Sequence, residues 1–286
     1  MNFSHSMSVI MTFRYARNGI LLALALLAGC SGNAKSPAIS PVATPSSIPV
    51  RDFTYKIVKA YPHDPKAFTQ GLQYHQGFLY EGTGGRDGDD FFSSIRKVDL
   101  ESGRILKKYD LPRDYFGEGI TILGDKLYQL TWQEMTAFVY DLNDFKLLRE
   151  IRYPGEGWGL TSDGSDLIMS DGTHVLRVVD PESFKTKRTI VVRDEAGRPL
   201  TRLNELEFIK GEIWANVWET PFIVRIDPES GKLLGRIDFT ELVSQIRNSN
   251  RKADVLNGIA YDSARDRIFI TGKLWDKVFE VQIEPK

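Results

Sequence analysis

A pattern of short strands and turns occurs five times along the chain, and one position in it carries a different polar or aromatic residue each time. Each repeat begins with one of five tripeptides: Gln70-Gly71-Leu72, Glu118-Gly119-Ile120, Trp158-Gly159-Leu160, Asn204-Glu205-Leu206 and Asn257-Gly258-Ile259. A turn and a second apolar strand follow, and four repeats continue into a third strand that ends at Asp99, Asp141, Asp180 or Asp227. Strands and turns with a period of roughly 40–50 residues are typical of β-propeller blades. The sequence therefore predicts an all-β fold, a five-bladed β-propeller.

The two ends of the repeat region predict how such a ring closes. The fifth repeat stops at Ile283 and lacks an outer strand, whereas residues 53–60 alternate in polarity before the first repeat. We expect this N-terminal strand to complete the last blade, which would remove two exposed sheet edges. An independent N-terminal strand in some other sandwich is the alternative.

The first 29 residues have the features of a signal peptide. Arg14 and Arg17 precede an apolar stretch at 20–28 that is too short to span a bilayer. Leu27-Ala28-Gly29-Cys30 resembles the lipobox of bacterial lipoproteins, which implies lipidation of Cys30, the only cysteine. Residues 30–50 read as the lipidated cysteine and a flexible Ser/Pro/Ala tether, and residues 51–286 as the five-bladed propeller domain. An ordinary secretory peptide is the alternative.

Composition limits the partners. Removal of residues 1–29 leaves 35 basic and 38 acidic residues, so a strongly basic nucleic-acid surface is not expected. Ser31 after the cysteine resembles the sorting signal for the outer membrane, so we expect the periplasmic face of that membrane, with membrane contact only through the lipid anchor. We expect a monomer, and helical periodicity is limited to a connecting segment near 241–250.

Two aligned positions of the repeat predict a site at one mouth of the central channel. The innermost strand of each blade lines this channel. The first position supplies Gln70, Glu118, Trp158, Asn204 and Asn257, and a second one supplies Gly84, Trp132, Gly172, Trp218 and Lys273. Aromatic walls with a few directed polar groups are the usual form of a small-molecule site.

A structural role is the alternative for each of these side chains. The tryptophans would then pack between blades, the asparagines would cap inner strands and Lys273 would be solvated. Glu118 fits a structural role least well, because it stands between Gly117 and Gly119, where the backbone is free to approach a ligand.

The sequence gives little support to metal chemistry. The four histidines lack zinc spacing, and no cofactor is expected to be required. Asp87, Asp89 and Asp90 leave room for a structural divalent cation, although their spacing is not that of a known calcium loop.

The repeat motifs taken together resemble the plant and bacterial type of glutaminyl-peptide cyclotransferase from about Tyr55 to the C-terminus. The motifs are Phe68-Thr69-Gln70-Gly71-Leu72, Phe116-Gly117-Glu118-Gly119, Leu130-Thr131-Trp132, Gly157-Trp158-Gly159-Leu160, Leu203-Asn204-Glu205-Leu206, Ala215-Asn216-Val217-Trp218 and Leu256-Asn257-Gly258-Ile259-Ala260. The resemblance implies conversion of N-terminal glutamine of peptides and proteins to pyroglutamate with release of ammonia. It also implies Glu118 as the acid/base residue, with a substrate pocket formed by Gln70, Trp132, Trp158, Asn204, Trp218 and Lys273. The acidic, aromatic loop at 82–92 departs from the family pattern and leaves the peptide preference open.

The chemistry predicts one proton-transfer residue. The α-amine attacks the γ-carboxamide carbon, so the enzyme has to bend the glutamine and move protons. We expect Glu118 to act as general base and then as general acid, and Asn204, Lys273 or an indole N–H to stabilise the oxyanion. Two other functions are open: a non-catalytic envelope scaffold that binds peptides or proteins, and a metal-dependent lactonase with Glu118, Asn204 and Asn257 as ligands.

Overall fold

Antiparallel β-sheets account for nearly all of the regular structure in the computed structural model, which describes residues 50–86, 88–89 and 91–286. Three sheets have four strands each, and eight further strands form a joined sheet. The first sheet contains β2 (Thr69–His75), β3 (Phe78–Thr83), β4 (Ser94–Asp99) and β5 (Ile105–Asp110). The second contains β6 (Gly117–Leu123), β7 (Lys126–Thr131), β8 (Thr136–Asp141) and β9 (Leu147–Arg152). The third contains β10 (Leu160–Ser162), β11 (Leu167–Met169), β12 (Val175–Val179) and β13 (Thr186–Val191).

The joined sheet consists of two four-stranded halves. One half contains β14 (Leu203–Ile209), β15 (Glu212–Val217), β16 (Phe222–Ile226) and β17 (Leu233–Asp238). The other contains β18 (Leu256–Asp262), β19 (Arg267–Gly272), β20 (Lys277–Pro285) and the N-terminal strand β1 (Arg51–Pro62). A short parallel pairing of Arg51–Phe53 with Gly235–Ile237 connects them. The all-β prediction is confirmed, and the arrangement is propeller-like.

The N-terminal strand lies where the sequence predicts it. β1 runs antiparallel to β20, with Tyr55 opposite Ile283 and Pro62 opposite Lys277. It is longer than the predicted segment 53–60 and contains an irregularity between Ile57 and Lys59. The sheet that begins with β18 thus receives its fourth strand from the other end of the chain.

Turn chemistry explains where the third strand ends in four of the five groups of four strands. In the first sheet the Ser102 backbone N–H donates to Asp99 Oδ1 at 2.9 Å. Matching bonds reach Asp141, Asp180 and Asp227 from the backbone N–H of Asn143, Ser183 and Ser230. An aspartate that accepts a bond from the backbone two or three residues later favours a turn over continued strand. The four aspartates at which the predicted third strands end therefore each open a turn.

The first strands of successive sheets lie side by side. β2 contacts β6, β6 contacts β10, β10 contacts β14, β14 contacts β18, and β18 contacts β2. Glycine permits this approach: a Cβ on Gly119 would lie 2.6 Å from the carbonyl oxygen of Trp158, and one on Gly71 would collide with the backbone of Ile120. Gly117 is similarly close to Thr83 and Gln129. Gly117 and Gly119 therefore make room for neighbouring strands and side chains, a role that the sequence analysis did not assign to them.

Apolar side chains fill the spaces between sheets. Tyr80 and Ile95 of the first sheet pack with Ile120 and Phe138 of the second, and similar clusters follow at the other junctions. The helix α1 (Thr240–Ser249), close to the predicted segment, buries Leu242, Val243 and Ile246 in the cluster that contains Trp214 and Trp275. Two of the five tryptophans therefore belong to the core.

Some predictions concern residues that are not described. The signal peptide, Cys30 and nearly all of the tether lie outside the described residues, as do Asp87 and Asp90. Among the residues that are described, no helix is long and apolar enough to cross a membrane.

Candidate active site

Residues at the first aligned position stand at or near the start of the five innermost strands. Gln70, Glu118, Asn204 and Asn257 are buried, at 3%, 5%, 3% and 0% exposure, while Trp158 is partly exposed. Gln70 and Asn257 touch: Asn257 Nδ2 donates to Gln70 Oε1 at 3.5 Å and to the Thr69 carbonyl oxygen at 3.0 Å. The contact between β2 and β18 thus brings together two residues 187 positions apart in the sequence.

Residues at the second aligned position follow the second strands directly. Trp132, Trp218 and Lys273 come one residue after β7, β15 and β19. The rings of Trp158 and Trp218 meet edge to face with centroids 5.5 Å apart, so residues from the two positions share one wall. Gly172 occupies the same position in the third sheet, where a Cβ would lie 2.7 Å from the Trp158 ring. The glycine at position 172 therefore leaves space for the large ring of Trp158.

Glu118 is the buried acid of this site. Its carboxylate accepts no hydrogen bond from a described residue. Burial raises the pKa of Glu118 well above its ordinary value; the positive charge of Lys273 opposes this rise, and the carboxylates of Glu134 and Glu156 add to it. A buried carboxyl that keeps its oxygens free can exchange a proton with a bound substrate.

Lys273 is the cationic partner across the site. Its side chain is buried, and Nζ lies 4.7 Å from the centre of the Phe68 ring. Burial lowers the pKa of Lys273, while the negative charges of Glu118 and Asp254 oppose that change. Its ammonium group makes no hydrogen bond within the part of the chain that the structure describes, so its donors can face a ligand.

Aromatic residues that the sequence analysis did not assign extend the wall. The Phe116 ring lies 5.8 Å from that of Trp132, and the Phe68 ring stacks on Phe91 at 4.8 Å. Phe68 and Phe116 each stand two residues before a first-position residue, namely Gln70 and Glu118. Aligning the repeats at the position two residues before the first aligned position would have found them.

Glu156 is a second residue that the sequence analysis did not assign, and it occupies the same register. It stands two residues before Trp158. Its Oε2 accepts the indole N–H of Trp132 at 2.8 Å and that of Trp158 at 2.9 Å. Both indole N–H groups are therefore already engaged, so the donor expected for an oxyanion is left to Asn204, Lys273 or the indole of Trp218.

Four buried side-chain amide atoms on the first and second strands of the sheets have no hydrogen-bond partner among the described residues. They are Gln129 Nε2, Asn204 Oδ1, Asn216 Nδ2 and Asn257 Oδ1. Buried polar groups are nearly always hydrogen-bonded. A bound water beside each atom would satisfy it.

Metal ligands are not grouped here. Among the described residues, no three His, Cys, Asp or Glu side chains lie close enough together to hold a metal ion. Of the three aspartates considered for a structural cation, only Asp89 is described, and its Oδ2 accepts the backbone N–H of Arg86 at 2.7 Å.

The fold and this site define a propeller-like protein with a buried acid, a buried lysine whose charge acts on it, and a wall of tryptophan rings. The family model of glutamine cyclotransferases matches residues 21–283, and the chain belongs to that family. The expected resemblance is thereby confirmed.

Two relatives place this membership in context. The chain is 44% identical over 236 residues to a glutaminyl-peptide cyclotransferase of Arabidopsis thaliana, covering 80% of this chain and 71% of the relative. It superposes on the crystal structure of Myxococcus xanthus glutaminyl cyclase with a TM-score of 0.76 and 37% identity, over 83% of this chain and 99% of the other. Both similarities extend over most of the chain.

Proposed function

We propose that this protein is a glutaminyl-peptide cyclotransferase that converts N-terminal glutamine of peptides and proteins to pyroglutamate. Membership of the family and similarity to the two relatives support a glutaminyl cyclase function. In the reaction the α-amine nitrogen bonds to the γ-carboxamide carbon, the bond from that carbon to its amide nitrogen breaks, and ammonia leaves. No external oxidant, water or activated donor is consumed.

The scaffold for this reaction is a five-bladed propeller. Each of the five groups of four strands forms one blade, and the contacts of β2, β6, β10, β14 and β18 follow one another around a common axis. The pairing of β1 with β20 closes the ring between the first and last repeats. Closure in this way leaves the site on the same axis that all five innermost strands share.

The observation that carries the mechanism is the buried Glu118 carboxyl, which has no hydrogen-bond partner among the described residues and is coupled to Lys273. Glu118 takes the proton from the attacking α-amine and returns one to the departing amide nitrogen. Burial raises the pKa of this carboxyl well above its ordinary value, so its ionised form accepts a proton more readily than an ordinary carboxylate does.

The other residues bind and orient the glutamine. The rings of Trp132, Trp158 and Trp218 enclose the bent aliphatic side chain and exclude water from Glu118. Lys273 or Asn204 donates to the oxygen that becomes negative during attack, and Gln70 positions the substrate. No metal or other cofactor takes part in this scheme, although a structural divalent cation is compatible with it.

Ammonia release from a glutamine-initiated dipeptide tests the proposal. We expect turnover that persists in EDTA and that disappears in a folded Glu118→Gln protein. Absence of turnover by the folded wild-type protein on several glutamine peptides would contradict the activity, and loss of turnover in EDTA would contradict the metal-free scheme. Binding of such peptides without turnover would instead favour the non-catalytic scaffold.

The cellular location of the protein is a separate proposal that rests on the sequence of the first 50 residues. Processing after residue 29 and lipidation of Cys30 would hold a monomeric catalytic domain at the periplasmic face of the outer membrane through the tether. Cell fractionation after labelling with a fatty-acid analogue checks it. We expect labelled protein in the outer-membrane fraction, and unlabelled, released protein from a Cys30→Ser gene.

A further inference from the structure

One carboxylate at the mouth holds two of the tryptophan rings that wall the site. Glu156 Oε2 accepts both indole N–H groups, from Trp132 of the second sheet and from Trp158 before β10 of the third. Glu156 Oε1 accepts an amide N–H of Gln133 at 3.2 Å. The main chain is also held, because Arg177 Nη2 donates to the Glu156 carbonyl oxygen at 3.1 Å. Both the side chain and the main chain of Glu156 are therefore held by hydrogen bonds.

We propose that Glu156 is a positioning residue for the proposed cyclisation, fixing the planes of the Trp132 and Trp158 indoles so that they form a preset wall for the glutamine side chain. This inference rests on the proposed function, because it assigns the wall a substrate. Glu156 itself takes no part in bond making, since both of its oxygens are occupied by protein donors.

The physical reason lies in the freedom of an indole at a partly exposed mouth. Trp132 follows strand β7, Trp158 precedes strand β10, and both side chains are partly exposed. Packing alone does not restrict them as it restricts Trp275, which is 0% exposed in the core. Two hydrogen bonds to one anionic oxygen supply the missing restraint, and bonds to a charged acceptor are the stronger kind. Because the wall is already ordered, substrate binding does not carry the entropy cost of ordering these side chains.

Glu156 also adds negative charge near Glu118, and this second effect needs a control. Glu134 offers it, because both residues raise the pKa of Glu118 but only Glu156 accepts the indole N–H groups. Glu134 instead lies 3.5 Å from Arg86. The remaining titratable groups coupled to Glu118 are Lys273 and Tyr153. Replacing either residue by leucine removes one negative charge and both carboxylate oxygens.

Comparison of Glu156→Leu with Glu134→Leu in the full chain separates position from charge. In both variants we expect the acidic limb of the kcat/KM profile to move to lower pH, since each loses a charge that raises the pKa of Glu118. Only Glu156→Leu also removes the acceptor of the two indole N–H groups, so only it should raise KM for a glutamine dipeptide, by about threefold to tenfold, the equivalent of about one hydrogen bond. Its kcat at the optimum should change little. Equal KM values in the two variants would overturn the positioning role.

A measurement without substrate keeps this test independent of the activity. The indole N–H resonances of Trp132 and Trp158, assigned through Trp→Phe variants, should both shift in Glu156→Leu and stay in place in Glu134→Leu. Failure of the wild-type protein to release ammonia would remove the proposed function while these resonances still report on the wall. Unshifted indole resonances in an active Glu156→Leu protein would overturn the inference and leave the cyclase intact.

Discussion

Glu118 and Glu205 are two buried carboxyl groups on innermost strands, and they differ in what surrounds their oxygens. Burial raises the pKa of each well above its ordinary value. Glu118 on β6 accepts no hydrogen bond from a described residue and is coupled to Lys273. Glu205 on β14 accepts the backbone N–H of Leu72 at 3.1 Å and that of Ile259 at 2.9 Å. The raised pKa reports burial in both cases, whereas the free oxygens mark only Glu118 as a group able to act on a substrate.

The aligned repeat explains the difference. Glu118 takes the first position, which opens on the mouth, and Glu205 takes the next one, where the other four repeats carry glycine. Gly71 and Gly258 precede Leu72 and Ile259, whose N–H groups Glu205 accepts. Glu205 thus joins β14 to β2 and β18, the strands that carry Gln70 and Asn257. We interpret it as a structural link beneath the site.

The largest expected effect is the loss of activity in Glu118→Gln. The amide cannot accept the proton of the α-amine, so we expect kcat to fall by at least about 10²-fold, which corresponds to about 2.7 kcal/mol. Ammonia release at saturating substrate measures it, and far-UV circular dichroism verifies the fold. Near-normal kcat in a folded Glu118→Gln protein would show that Glu118, like Glu205, is not a catalytic residue.

Glu205→Gln should affect stability instead. An amide offers one acceptor oxygen, so either Leu72 N–H or Ile259 N–H faces an NH₂ group and loses its partner. The free energy of unfolding should fall by about 1–3 kcal/mol, the cost of one unsatisfied buried donor. Urea unfolding measures this loss, with Glu118→Gln as the matched control at a buried carboxyl that lacks such bonds. An unchanged urea midpoint for Glu205→Gln would mean that the link is not structural.

Lys273→Met sharpens the comparison from the cationic side. Loss of this charge removes the influence that lowers the pKa of Glu118, so the acidic limb of the kcat/KM profile should move to higher pH. We also expect kcat/KM at the optimum to fall by about tenfold, through loss of a charged hydrogen-bond donor worth about 1.5 kcal/mol. An unchanged acidic limb of the kcat/KM profile would show that this limb does not reflect the ionisation of Glu118.

The smallest expected effect is a pH-dependent gain of stability in Glu118→Gln. Because the folded pKa of Glu118 lies above the unfolded one, unfolding releases a proton at pH values between the two. The free energy of unfolding of the wild type therefore falls as pH rises above the unfolded pKa, and the substitution removes that contribution. Thermal unfolding of both proteins across the range from acidic to neutral pH should show a difference that grows with pH. A constant difference would contradict the raised pKa.

Much of the fold was predictable because its determinants are local and repeated. The aspartates that end the third strands bind their own turns, as Asp99 binds Ser102, so neighbours in the sequence decide them. The pairing of β1 with β20 was predictable for another reason, since an incomplete last repeat requires a strand from elsewhere. The packing role of the glycines was not predictable, because the space beside Gly119 is occupied by Trp158, which is distant in the sequence and precedes the next sheet.

The sequence by itself determined the all-β repeat, the family and the register that places Glu118, three tryptophans and Lys273 at two aligned positions of the repeat. It could do so because alternation, turn residues and spacing are properties of the chain. Only the tertiary structure decided that the carboxyl of Glu118 accepts no hydrogen bond from a described residue, whereas those of Glu156 and Glu205 accept hydrogen bonds from the protein. Glu156 takes its donors from two sheets, and Glu205 joins strands more than 50 residues away on either side. Hydrogen bonds across blades depend on distances that folding alone creates, and no local pattern encodes them.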